Sequence, residues 1–318
     1  MNHTRQLLPA LILGLSGIAG AQNYPDKPIR VLVPFAAGSG TDILARIVTD
    51  ELRTSMSAHF VIDNRAGASG QIAAELAAKA NPDGYTLLLS TNTPHSANPF
   101  LFKKLNYDPV KDYVAVSRMI YYVFILAVNP NSGIKTVPEL ITYVKANPGK
   151  TSYAFGNSTG QVNGAYFVSA AKLDSLAVPY KSTPPAMTDL IAGQVHYMFV
   201  DAASSQGHVK SGRLRAIAAM SDKRSDVTPD LPAVGETVPG FDTVPWAGMF
   251  APAGTPNAII TRLNTEIVKA INKPAIHQRL AEAGLQPAPS TPAELDQFVK
   301  EQFVAWGKKI RDAGIQPE

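Results

Sequence analysis

The stretch Ile29-Arg30-Val31-Leu32-Val33-Pro34-Phe35-Ala36-Ala37-Gly38-Ser39-Gly40-Thr41-Asp42-Ile43-Leu44 decides the fold. A β-rich apolar run enters a loop of small residues, and the loop enters an amphipathic helix carrying Ile43, Leu44, Ile47, Val48 and Leu52 at helical spacing. Thr41 or Asp42 is the expected N-cap. Such a junction leaves free backbone N–H groups and the positive end of a helix dipole facing one point, which suits an anion. The design recurs at Ser152-Tyr153-Ala154-Phe155-Gly156-Asn157-Ser158-Thr159-Gly160-Gln161. Two such loops facing each other would clamp a small anionic solute.

Working outward, the units alternate. After a short strand at Phe60-Val61-Ile62, an Ala-rich helix from Gln71 to Lys79 stops at Asn81-Pro82-Asp83-Gly84. Tyr85-Thr86-Leu87-Leu88-Leu89 reads as a buried strand of a parallel sheet, and its exit Ser90-Thr91-Asn92-Thr93 is polar and small. The alternation predicts α/β units. A β-rich run from Val114 to Val128 exceeds an average strand and is long enough to cross from one lobe to another. Beyond it the pattern restarts with a helix at Thr136-Val137-Pro138-Glu139 and the second strand–loop–helix unit at Thr151. Strands follow at 177–180, 195–200 and 214–220, and residues 221–245, rich in Pro and Gly, form a return connection. The tail adds a strand at Trp246-Ala247-Gly248-Met249-Phe250 and three helices, the longest with Leu295, Phe298, Val299, Phe303 and Trp306 on one core-facing side.

Composition narrows the function. Of 318 residues, 29 are Lys or Arg and 25 Asp or Glu, a net +4 too small and too scattered to suggest nucleic acid. Arg5, the apolar run Leu7 to Ala19 and Ala19-Gly20-Ala21 form a secretory signal peptide, so residues 1–21 are expected to be removed and the chain exported. The run is shorter than the roughly 20 residues a bilayer span needs. Cysteine is absent, which excludes thiol chemistry and thiolate metal sites, and a chain this long folds without disulfides. The six His are dispersed, none at i,i+4 on a shared helix, so neither a metal nor another cofactor is expected. His95, near the Thr91-Asn92 exit, is the one His placed to face a cleft, although a plain loop His is the simpler reading.

Several ordered stretches resemble one family. They are Tyr24-Pro25 through Pro28-Ile29-Arg30, Gly38-Ser39-Gly40-Thr41-Asp42, Asn64-Arg65, Pro82-Asp83-Gly84-Tyr85-Thr86-Leu87 and Tyr107-Asp108-Pro109. Val178-Pro179-Tyr180-Lys181, Asp189-Leu190-Ile191-Ala192-Gly193-Gln194, Ser211-Gly212-Arg213-Leu214-Arg215-Ala216 and Phe250-Ala251-Pro252-Ala253-Gly254-Thr255-Pro256 continue the series. From Tyr24 to the C-terminus the chain resembles the substrate-binding proteins of tripartite tricarboxylate transport systems, the Bug receptors. The resemblance implies a periplasmic binding protein of type II-like α/β fold. Two parallel-rich sheets flanked by helices would form two lobes, joined by two crossing strands as hinge. Residues 22–122 plus 245–318 would form one lobe and 123–244 the other. It implies a monomeric, non-enzymatic receptor that holds a small organic acid between the lobes and hands it to membrane permease subunits.

Carried over by residue, the resemblance puts Phe35, Ala36, Gly38, Gly40 and Thr41 opposite Asn157, Ser158, Thr159 and Gly160, with Asp201 at the pocket rim. The hydroxyl of Ser39 and the strand exit Thr91-Asn92 complete the expected contacts. Neither loop offers Arg or Lys, so dipoles and solvent rather than a salt bridge would offset ligand charge. Phe35 is equally readable as a ligand platform or a core side chain, and Asp201 as a ligand contact or the cap of the next helix. The chain departs from the family pattern at Ala36-Ala37, where Pro-Gly-Gly is common, and at Ser182, where Gly is common.

One competitor comes from a different class. Gly156-Asn157-Ser158-Thr159-Gly160 matches the G-x-S-x-G nucleophile elbow, and Asp201 with His208 or His277 follows in the order of an α/β-hydrolase triad. On that reading the protein would be a secreted esterase using Ser158. Against it, no His-Gly-Gly-type oxyanion loop lies upstream.

Overall fold

A computed structural model describes residues 24–224 and 226–318. The expected signal peptide falls outside these residues. The opening stretch folds as β1 (Ile29–Val33) followed by α1 (Gly40–Ser55). The N-cap of α1 is Ser39, two residues before the nearer expected position, and its hydroxyl accepts from the Asp42 amide at 3.3 Å. Asp42 reaches back from the first turn to accept the Gly38 amide at 3.0 Å. The cap therefore begins where the loop's extended backbone ends, and Gly40 and Thr41 already belong to the helix.

The chain continues through β2 (Phe60–Asn64), α2 (Gln71–Ala78) and β3 (Thr86–Thr91). A π-turn at Thr93–Ala97 then leads into the short α3 (Asn98–Leu101). The long β-rich run divides into β4 (Tyr113–Tyr122) and β5 (Phe124–Val128), with Val123 alone between them. Next come α4 (Val137–Ala146), β6 (Thr151–Phe155), α5 (Ser158–Ala170), β7 (Ser175–Pro179), α6 (Thr183–Ile191), β8 (Tyr197–Asp201), α7 (Ala202–Lys210) and β9 (Arg215–Ala219). After the return connection the chain forms β10 (Trp246–Pro252), α8 (Asn257–Asn272), α9 (Pro274–Glu282), β11 (Leu285–Pro287) and α10 (Pro292–Asp312).

These strands make two mixed sheets. The six-stranded sheet runs β11-β4-β10-β3-β1-β2, and the five-stranded one β7-β6-β8-β5-β9. In each, one strand is paired in parallel on both sides: β1 between β2 and β3, β6 between β7 and β8. Antiparallel pairs enter where the chain changes sheet, β10 against β3 and β4, and β5 against β8 and β9. A strand that arrives from the other sheet comes in reversed, so the crossings themselves impose the mixture. The two crossings touch, since the Tyr122 amide donates to the Pro245 carbonyl at 2.9 Å.

Each sheet is packed on both faces. Leu44, Ile47, Val48 and Leu52 of α1 and Leu263 and Ile267 of α8 cover one side of the larger sheet, while Ala73, Ala77, Leu295 and Val299 cover the other. Phe167 and Phe199 centre one core of the smaller sheet, Met187 and Leu190 the other. Full burial of such side chains contributes on the order of 1.5–3 kcal/mol each. The aromatic side of α10 packs as expected: Phe298 meets Trp246 at 5.6 Å between ring centres, and Phe303 meets Phe100 at 4.7 Å.

Candidate ligand-binding cleft

Helices α1 and α5 each leave the carboxyl end of the strand paired in parallel on both sides, one in each sheet, and their N-termini converge between the sheets. Phe35, Ser39, Gly40, Thr41, Thr91, Asn92, Asn157, Thr159 and Asp201, all singled out in the sequence, line one cavity. Its atom-free space, counting the part open to solvent, is about 310 Å³. Ala36, Gly38, Ser158 and Gly160 stand beside this lining with their amides engaged. Ala36 donates to Ser182 Oγ (3.1 Å), Gly38 to Asp42 Oδ2 (3.0 Å), Ser158 to Thr93 Oγ1 (3.3 Å) and Gly160 to Asn157 Oδ1 (2.9 Å).

What remains open is specific. The amides of Gly40 and Thr41 in the first turn of α1, and of Thr159 in the first turn of α5, donate to no described residue. First-turn amides point out of the helix end, and all belong to residues of the cavity lining. The two helix ends differ in charge. Asp42 sits behind the α1 loop, its carboxylate bonded by Arg46 at 3.0 Å. Burial opposes ionisation there, but the Arg46 guanidinium and the Gly38 amide outweigh it and hold the carboxyl below the usual range. The cap of α5 is the neutral Asn157.

Tyr122, Phe124, Thr93 and Thr183 also line the cavity and were not anticipated. Tyr122 and Phe124 flank the single residue joining the sheets, and the Tyr122 hydroxyl bonds Thr41 Oγ1 at 2.8 Å. Burial raises the Tyr122 phenol far above its ordinary value, so it stays an un-ionised hydroxyl. The long β run marked this crossing in the sequence, and a crossing between lobes necessarily borders the space between them. Thr93 opens the π-turn after β3 and Thr183 opens α6, with no local signal beyond small polar residues.

Asp201 occupies both roles read from the sequence. Only 4% exposed, it lines the cavity, and its Oδ1 accepts the Ser204 amide at 2.8 Å as the cap of α7. Burial raises its carboxyl pKa despite that bond. Gly40 lies directly against it. A Cβ on Gly40 would collide with Asp201 Oδ1 and lie 3.1 Å from Tyr122 Cε1. Only glycine lets the head of α1 approach Asp201 this closely.

The lobes are closed on the cavity. Besides the Ala36–Ser182 bond, Asn92 Nδ2 donates to Thr159 Oγ1 at 3.0 Å, and the hydroxyls of Thr93 and Ser158 bond at 2.8 Å. The last contact removes the hydrolase reading. Ser158 Oγ is fully buried, its partners are Thr93 and Asn92, and no imidazole is bonded to it. His208 lies in α7 and His277 in α9, and Asp201 is committed to capping α7. His95 packs away from chemistry as well. It is wholly buried, bonded to Ser90 Oγ at 2.7 Å and stacked on Phe250, and burial pushes its pKa down to about 3. Among the described residues no cluster of three or more His, Cys, Asp or Glu could hold a metal ion, and no helix is long and apolar enough to cross a membrane.

Comparison with known proteins bears on the family and the fold. Residues 44–315 match the family model described as tripartite tricarboxylate transporter family receptor. The chain is 36% identical to a UPF0065 protein of Bordetella bronchiseptica over 98% of this chain and 93% of that one. Among solved structures it is similar to R. palustris Rpa4515 with adipate, at 32% identity and TM-score 0.90, covering 93% of this chain and 100% of that one. It is also similar to the periplasmic binding protein BugD, at 31% identity and TM-score 0.88 with the same coverage.

Proposed function

This chain belongs to the tripartite tricarboxylate transporter receptor family, and from that premise we propose that it captures a small organic acid between its lobes in the periplasm and presents it to permease subunits of a tripartite transporter. The observation that carries the reading is the convergence of the open Gly40, Thr41 and Thr159 amides on one cavity with no Lys or Arg in its lining. A ligand carboxylate bonded by these amides and by the Ser39, Thr41 and Thr91 hydroxyls gains charge-assisted hydrogen bonds. Water exclusion in the closed cleft strengthens them. Without a salt bridge to break, the ligand leaves readily once the lobes part, as delivery requires. Rpa4515, solved with adipate, supports an acid as ligand.

The remaining assignments follow the same reading. Residues 22–122 with 245–318 form one lobe and 123–244 the other, hinged where Tyr122, Val123 and Pro245 meet. Ligand contacts come from Phe35, the 38–41 loop, Thr91, Asn92, the 157–160 loop and Asp201, and binding shifts the population toward the closed form a permease reads. The chain reaches the periplasm by export and loss of residues 1–21, works as a monomer and carries out no reaction.

A thermal-shift screen of the exported chain against mono-, di- and tricarboxylates, aromatic acids, amino acids, neutral sugars and peptides tests this. A true ligand at a hundred times its Kd adds about 2.7 kcal/mol, raising Tm by roughly 5 °C for a chain of this size. A response to sugars or peptides and to no acid would overturn the reading.

A further inference from the structure

A second cavity lies on the other side of the crossing between the sheets. Tyr122 and Phe124 line the cleft, while Val123 between them lines this cavity, as successive side chains of an extended chain point to opposite faces. Its atom-free space, counting the part open to solvent, is about 960 Å³, against about 310 Å³ for the cleft. Both lobes build it. Val123, Ala202 and Gly284 form the end at the joint, where the Ala202 amide donates to the Val123 carbonyl at 2.8 Å and a Cβ on Gly284 would lie 2.8 Å from Ala202 Cβ. Away from that end, His277 and Ala281 of α9 face Gln206 of α7. The lining is mainly apolar and carries no Asp, Glu, Lys or Arg, and the Gln206 amide and His277 imidazole are among its few hydrogen-bonding groups. Ala202 opens α7 but spends its amide on Val123, so this cavity, unlike the cleft, offers an anion no open helix-start amide. A mainly apolar pocket with a few polar groups at a boundary between lobes is the make-up of a small-molecule site, and a charged ligand would lie there uncompensated.

Resting on the two-lobed receptor reading above, we propose that this cavity is a second ligand site, for a neutral, mainly apolar molecule with a hydrogen-bonding group, and that its occupant favours the closed cleft. The direction follows from the placement. The lobes are pinned together at Val123, Ala202 and Gly284, so a turn that closes the cleft on one side of the crossing parts α9 from α7 on the other. The cavity is then widest in the closed form, and a molecule that fills it binds that form best. The coupling is reciprocal: an occupant here tightens acid binding in the cleft by the factor by which the acid tightens the occupant.

The probes are indole and benzyl alcohol, with benzylammonium as the charged counterpart of the alcohol. Saturation-transfer NMR and calorimetry on the exported chain should show both neutral probes binding, and benzylammonium at least tenfold more weakly than benzyl alcohol. Ala281→Trp, at an exposed position of α9, fills the cavity from one wall, and Gln206→Trp fills it from the other; each should abolish the probe signal. Acid affinity is then measured with and without saturating indole, using whichever of succinate, malate, citrate and adipate raises Tm most. Indole should lower that Kd at least threefold in the unaltered chain and leave it unchanged in the variants. Neutral probes that fail to bind, that bind both variants equally well, or that bind no better than benzylammonium overturn the site. An acid affinity that indole leaves unchanged or weakens overturns the link to closure. In each of these cases the acid still binds and the receptor reading stands. Indole binding that both variants abolish, in a protein that takes none of the acids, upholds the site and overturns the receptor reading together with the link to closure.

Discussion

Two of the contacts between the lobes are chemically unlike. Across the cleft the lobes meet through hydroxyls and small amides: Ser182 with Ala36, Thr159 with Asn92, Ser158 with Thr93. Behind the cleft, α10 packs on α5 of the other lobe through an apolar cluster holding Trp306, Ile310, Val162 and Leu101. There Lys309, nearly buried, donates to the Gly240 carbonyl and to Asp242 Oδ1 and lies 3.8 Å from the Tyr166 ring centre. Water replaces a hydroxyl contact at little net cost, about 0.5–1.5 kcal/mol per bond. It cannot replace buried apolar area or a desolvated ammonium so easily. The cleft contact is thus the weaker of the two.

The comparison breaks first at the rear. Trp306→Ala empties a fully buried indole site and should cost about 3–5 kcal/mol, seen as a lower midpoint in denaturant unfolding. A loss under about 1 kcal/mol would mean that the rear contact is no anchor. Lys309→Met removes the donor to Gly240 and should cost about 1–3 kcal/mol, again in the ligand-free protein.

At the cleft the effects move from stability to affinity. Gly40→Ala drives a methyl group into Asp201, so the closed form is lost while the open form is spared. Ligand affinity should fall at least tenfold, roughly 1.4 kcal/mol, with little change in ligand-free Tm. Ser182→Ala deletes one bond made only on closure and should weaken binding about three- to tenfold, read as a faster off-rate in stopped flow. An equal fall in unfolding stability would show that the cleft contact is as permanent as the rear one.

The smallest effect is a pH dependence of opposite sign at two carboxyls. Asp42 is lowered in the fold, so it stabilises above the ordinary carboxylate range, and that stability is lost as pH falls through its folded value. Asp201 is raised, so its contribution grows as pH falls from its folded value toward the ordinary one. Asp42→Asn should flatten the acid limb of the stability curve, and Asp201→Asn should raise stability near neutrality.

Much of this was legible in the sequence, because it is local. A strand, a small-residue loop and a helix at 29–44 and again at 152–161 announced both helix ends, and an overlong β run announced the crossing. The rest depends on who meets whom. Strand β10 lies between β3 and β4, more than a hundred residues away along the chain, and periodicity carries no partner information. Thr93 and Thr183 became lining residues only when two lobes closed. Ala36 and Ser182 were noted separately as departures from the family pattern, and the fold joins them by one hydrogen bond. Asp201 as cap and as lining were competing readings, yet its position at the end of β8 satisfies both.

Between the sheets the first crossing has only Val123, tied alongside the second by the Tyr122–Pro245 bond. On the proposed receptor function, a joint so short is the fulcrum of a lever, and a slight turn there becomes a wide displacement at the far rims. A membrane partner spanning both rims would sense their spacing and never meet the captured molecule. Receptors with different slots could then address one permease, provided each reports its cargo as the same gap.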